Sequence, residues 1–112
     1  MTTPRLNRRL TLEAPQDVPD GAGGYDRIWM PMGVLWAEVT ARAGRERANE
    51  VAPVSVSALR IVVRATPVGS AARPRPEQRF REGARVYRIL AVAEKDPLGR
   101  YLSCQAEEEV VT

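Results

Sequence analysis

Histidine is absent from this 112-residue chain, cysteine and lysine occur once each, and aromatic residues make up only 5%. Without histidine there is no Ser–His or Cys–His nucleophilic pair, and none of the imidazole ligands that most catalytic zinc sites use. The one thiol, Cys104, can neither close an internal disulfide nor build a metal cluster. The shortage of aromatics leaves the core to Val, Leu, Ile and Ala. No apolar run approaches the length that crosses a bilayer, and Met1–Leu6 holds no apolar signal core, so a cytoplasmic chain with no membrane partner is expected. Carboxylates are scattered or grouped at Glu107–Glu109, and a carboxylate pair is the one acid–base arrangement left open. No cofactor, metal or enzymatic activity is expected, because a catalytic site needs convergent, mutually tuned groups.

What is present describes one soluble domain over residues 1–112, with 44% hydrophobic and 28% charged residues. The net charge of +3 is unevenly spread: zero over residues 1–42, +5 over 43–85 and −2 over 86–112. Sixteen of the seventeen basic residues are arginine. That bias fits the codon usage of a GC-rich genome, and it equally fits contact with phosphate or carboxylate, which the planar guanidinium binds bidentately.

The dominant period is two, the mark of strands. Leu10 and Leu12 share one face of Arg8–Leu12, while Leu35, Ala37, Val39 and Ala41 share one face of the next strand, with Trp36, Glu38, Thr40 and Arg42 opposite. Leu59, Ile61 and Val63 are in phase, and Val54 and Val56 are out of phase with them, which predicts a bulge or bend near Ser57–Ala58. Val86–Val92, apolar on both faces, is expected to be the most buried strand, with Tyr87, Ile89 and Ala91 on one side. Tyr101–Ala106 follows, joined by a type I turn at Asp96–Gly99. A short strand at Gln78–Arg81 precedes this pair. Residues 43–52 are either one or two helical turns or a polar loop. Thr66–Pro76, rich in proline and arginine, is expected to be an exposed or disordered loop. The fold class that results is mainly β: a small antiparallel barrel or sandwich of five or six strands with long loops and at most one short helix.

Pro19–Tyr25 packs three glycines, Gly21, Gly23 and Gly24, into four residues just before Trp29 and Trp36. It is no dinucleotide fingerprint, since Asp26 stands where the third glycine would fall, and no Gly-Lys-Ser/Thr follows to make a phosphate loop. A flexible hairpin or docking loop is expected there. Trp29 and Trp36 are core or interface anchors, and Trp36, on the polar side of its strand, is a candidate subunit contact. Arg42, Arg45 and Arg47, with Glu46 and Glu50, are either a solvated face with local ion pairs or a loop facing DNA phosphates. Arg73, Arg75, Arg79 and Arg81 read as a basic loop and strand edge, and Glu107–Glu109 as a solvated tail.

In order and spacing, Leu6 with Arg9–Leu12, Asp20–Gly24 with Trp29, Trp36–Val39, Ile61–Arg64, Tyr87–Val92 and Tyr101–Glu107 resemble the head–tail joining (stopper or head-completion) family of long-tailed phages and phage-derived gene transfer particles. The resemblance spans nearly the whole chain and is weakest at Thr66–Pro76. It implies a structural ring, hexamer or dodecamer, in the neck of a virion or phage-like particle. Such a ring sits between a portal or adaptor ring and a tail terminator or tail tube protein, with packaged double-stranded DNA in its channel. By position it implies that residues 42–53 form a gating loop, with Arg42, Arg45 and Arg47 facing the DNA. It makes the 13–31 arm (Gly21, Gly23, Gly24, Tyr25, Trp29), Trp36 and the 66–76 loop (Arg73, Arg75) candidate contacts with neighbours. An adaptor or tail-end part of the same machine is the alternative. A free nucleic-acid-binding barrel of the OB type is another, although Tyr25, Trp29, Trp36, Tyr87 and Tyr101 do not obviously converge as a stacking face.

Overall fold

Six strands alternate along the chain with no helix among the described residues, which in this computed structural model are 3–42 and 57–109. They are β1 (Arg8–Pro19), β2 (Tyr25–Ala41), β3 (Ser57–Arg64), β4 (Arg79–Glu82), β5 (Arg85–Glu94) and β6 (Tyr101–Glu108). All pairings are antiparallel, and the order β1-β2-β3-β6-β5-β4 closes into a barrel where β4 pairs back onto β1. Closure leaves β4 no free edge, so the expected edge role of Arg79 and Arg81 gives way to a ladder with β1. The expected helix or loop at 43–52, Val54 and Val56, and Arg45 and Arg47 lie outside the described residues. At Ser57–Ala58 themselves the expected bulge is not found, since the register to β6 runs unbroken from Ser57–Glu108 to Arg64–Tyr101.

The inward residues follow the period-two pattern. Leu10, Leu12, Leu35, Ala37, Leu59, Ile61, Val63, Leu102, Cys104 and Ala106 are buried in one cluster, joined by Phe80, Tyr87 and Ile89. Each large side chain taken from water contributes about 1.5–3 kcal/mol, so this cluster is the main stabilising element. The small aliphatics predicted for the core are there, but its two largest members are the aromatics Tyr87 and Phe80.

Two bulges account for the main departures from the expected strands. Leu90 is the extra residue of β5, because the register to β6 passes from Ile89–Ala106 directly to Ala91–Gln105. The bulge turns Leu90 outward and brings Val92, rather than Ala91, into phase with Tyr87 and Ile89 against the core. The most buried strand is therefore β3, in which Leu59, Ile61, Val62 and Val63 are all covered, and not β5. Met32 is the extra residue of β2, where the register to β1 passes from Leu12–Gly33 to Glu13–Pro31. Past it, β1 and β2 continue as a two-stranded ribbon as far as the Pro19–Tyr25 pair.

Of the hairpin and docking loop expected at the end of the 13–31 arm, the structure has the hairpin. The arm is a paired extension of the barrel wall, and its glycine-rich segment is the hairpin turn at its end. The Asp20 carboxylate accepts hydrogen bonds from the amides of Ala22 (2.8 Å) and Gly24 (3.0 Å), which holds its pKa below the ordinary aspartate value. Gly21 and Gly23 take φ of +82° and +89°, in the left-handed region that side chains other than glycine rarely enter. The 66–76 loop is exposed at Pro67–Gly69, Ala71 and Arg75–Pro76, as expected. It is nonetheless shaped by successive turns, closed through Ser70 to Pro67 and Arg73 to Ser70, and Pro74 is fully buried. The Asp96–Gly99 turn forms as predicted, with Gly99 N–H donating to the Asp96 carbonyl at 3.0 Å.

Candidate interaction surfaces

The ribbon has two chemically distinct faces. On the face continuous with the barrel exterior, Glu13, Pro15, Asp17 and Pro19 oppose Pro31, Trp29, Arg27 and Tyr25. Here Arg79 stacks over the Trp29 ring, 4.1 Å from its centroid, and Trp29 is half-buried. Arg79 and Arg81 both converge on the Glu13 carboxylate, at 2.7 and 3.2 Å. The root of the ribbon is therefore clamped to β4, and Trp29 belongs to that clamp. On the other face Ala14, Gln16 and Val18 oppose Met30, Ile28 and Asp26. This face continues the apolar inner wall beyond the barrel. Ile28 and Met30 are exposed there, while Tyr25, on the first face at the tip, is 71% open near Gly21, Gly23 and Gly24.

A second surface lies on the barrel exterior. Trp36 of β2 is 54% exposed, opposite Arg9 of β1. On its other side Arg64 of β3 follows one step beyond the Ala37–Val63 pair, and Arg64 in turn pairs with Tyr101 of β6. The order across four strands is Arg, Trp, Arg, Tyr, with the Arg64 guanidinium 5.8 Å from the Tyr101 ring centroid. Beside Trp36 opens a groove of about 430 Å³ lined by Leu6, Val34, Leu35, Trp36, Arg64, Ala65 and Thr66. The Thr66 hydroxyl is shut from solvent and has no hydrogen-bond partner among the described residues. Trp36 was predicted from its place on the polar side of its strand. Arg9, Arg64 and Tyr101 were not, because their alignment depends on inter-strand register, which one strand's pattern does not carry.

The other predicted residues are placed as follows. Arg42 directly follows β2, with its Nη1 donating to Gln105 Oε1 at 3.1 Å and its Nε shut from water with no partner among the described residues. Arg73 turns into its own loop, its Nη1 donating to the Thr66 carbonyl at 2.6 Å, whereas Arg75 stays exposed. Glu107 and Glu108 are not a solvated tail. They are part of β6, paired with Arg88 (3.2 Å) and bidentately with Arg85 (2.7 and 2.8 Å).

One mouth of the barrel is sealed by charge. Arg8 Nε donates to Glu82 at 2.7 Å, its Nη2 bonds the other carboxylate oxygen, and the Tyr87 hydroxyl donates to Glu82 at 2.8 Å. The Arg8 fork holds the Glu82 carboxyl down at about 2. Burial, helped by the bond to Glu82, pushes the Tyr87 phenol up to about 12. The arrangement is saturated and half-covered, a structural plug with no group poised for proton transfer. Burial likewise pushes the Cys104 thiol up to about 12, away from the thiolate that nucleophilic or metal chemistry requires. Among the described residues no three His, Cys, Asp or Glu side chains gather as a metal site, and no helix is long and apolar enough to cross a membrane.

Comparison with known proteins decides the family. The family model for phage head completion protein matches residues 1–109. The chain belongs to the phage head completion protein family. Among solved structures it is similar to a chain of the virion of a native gene transfer agent particle, at 61% identity and a TM-score of 0.76, covering 98% of this chain and 100% of that one. It is also similar in fold to protein SF1141 from Shigella flexneri 2a, at 20% identity and a TM-score of 0.72 over the whole of both chains. No curated protein sequence matches. Members of a head completion family are structural parts of a phage-like particle, associated with other head or tail components. The barrel and its exposed apolar surfaces accord with that.

Proposed function

We propose that this protein is a connector in the neck of a phage-like particle, where a ring of its copies joins the portal or adaptor to the tail and retains packaged DNA. It has no catalytic step. The observation that carries the reading is the family match over residues 1–109, together with 61% identity to a component of a gene transfer agent virion. Two features support it. The ribbon and the Trp36 groove leave apolar surface uncovered in the single chain, as expected of a subunit completed by neighbours. The excess of positive charge falls on residues 43–85, which include Arg45 and Arg47, and a ring would repeat those groups into a basic collar around a polyanion. Residues 42–53 are the proposed gate on the channel side. The portal or adaptor ring and the tail terminator or tube are the proposed neighbours.

Replacing Arg42, Arg45 and Arg47 together by Glu tests the gate. Particles carrying the variant should lose DNA, measured as nuclease-sensitive DNA per particle, while the isolated chain keeps its β-sheet circular dichroism. Particles that protect their DNA normally would remove the gating role. Deleting the gene should yield heads unjoined to tails, and tailed particles without the protein would refute the connector.

A further inference from the structure

We infer that the apolar face of the ribbon of one copy seats in the Trp36 groove of the next, with Asp26 meeting the arginines that flank it. This rests on the ring reading and specifies the surfaces that would build the ring. The ribbon face offers Ile28 and Met30, both exposed, with Asp26 on the same face toward the tip. The groove offers Val34 and Trp36, both exposed, between Arg9 and Arg64. The two patches are complementary in polarity and in charge, an apolar strip ending in a carboxylate against an apolar floor edged by guanidiniums.

Geometry decides that the contact is between copies. Asp26 and Trp36 lie on the same continuous strand, β2, ten residues apart, so the strand holds them roughly 33 Å from each other. Two different patches on one rigid element cannot meet within a chain. Between chains they make a head-to-tail contact, which repeats until its rotation closes a ring. Charge favours a protein occupant over DNA for the Arg–Trp–Arg–Tyr row, because the ribbon end carries Asp17, Asp20 and Asp26 against Arg27 alone.

The test is cross-linking inside assembled particles. Chains bearing Ile28→Cys are co-produced with chains bearing Val34→Cys, and particles are treated with a short bis-maleimide. The native Cys104 is buried and does not compete. Expected are linked peptides joining position 28 of one copy to position 34 of another, and, with both substitutions on one chain, a ladder extending beyond the dimer. A ladder that stops at the dimer, or links joining 28 only to 28, overturns the inference. So does a Trp36 that cross-links under ultraviolet light to DNA rather than protein. Copies per particle are counted on the same gel. Several copies without a 28–34 link sink the docking alone, whereas a single copy per particle sinks the ring reading as well. In a second measurement, Asp26→Arg should lower incorporation into particles roughly tenfold, and Arg9→Glu with Arg64→Glu in the same chain should restore it. Absence of rescue, with each variant folded, contradicts the pairing.

Discussion

Replacing Glu13 by alanine should release the ribbon from the barrel. The Glu13 side chain is 11% exposed and is the shared anion of Arg79, itself 12% exposed, and of Arg81, 44% exposed. Removing one side of a buried ion pair costs about 3–5 kcal/mol, mostly as the penalty on the charge left behind. Two features reduce that figure here. Arg81 can turn to water, and Arg79 keeps the face of Trp29, worth about 0.5–1 kcal/mol. The expected loss is therefore about 2–3 kcal/mol, equivalent to roughly 10 °C in Tm for a chain of this size. Urea unfolding followed by tryptophan fluorescence measures it, and the native spectrum should shift to the red as Trp29 loosens. Glu13→Gln, which keeps the shape and part of the hydrogen bonding, should cost about half as much. A loss under about 0.5 kcal/mol with an unshifted spectrum would show that the ribbon is not anchored through this clamp.

Two further outcomes follow from the barrel. Glu82 has its folded pKa depressed from the ordinary 4.5 to about 2, so its stabilisation is fully present above pH 4.5 and is lost as pH falls toward 2. Acid unfolding of the wild type should therefore steepen below pH 4.5 by about 2 kcal/mol relative to Glu82→Gln, and coincident pH curves would refute it. Cys104, fully buried on β6, should react with a thiol reagent only as fast as the barrel opens. Labelling slowed in proportion to added stabiliser supports that, and rapid labelling of the native protein contradicts it.

The strands were legible because alternation reports which face is wet, and the inward sets of β1, β2, β3 and β6 follow it residue by residue. The bulges were not legible. Nothing in Ile89-Leu90-Ala91-Val92 or Pro31-Met32-Gly33 marks which residue is extra, since that is settled by the partner strand's register. The Met32 bulge hid the length of the ribbon, because it reverses the phase of 25–31 relative to 33–41; of the two readings of the glycine cluster, hairpin or docking loop, the pairing shows the hairpin. Of the contact candidates, Trp36 stands where its polar-side position placed it, while Trp29 is taken up by Arg79. The acidic run 107–109 reads as a tail only if β6 is ended at Ala106. Cross-strand pairing with Arg85 and Arg88 extends that strand through Glu108.

The central claim is that the exposed surfaces of this barrel serve a ring in the particle neck. Electron cryomicroscopy of purified particles, with the chain located by a small tag at its C-terminus, tests it most directly. A closed ring of six or twelve copies between portal and tail is expected, with each ribbon against the Trp36 face of its neighbour. Tag density elsewhere on the particle, or a single copy off the particle axis, would contradict it.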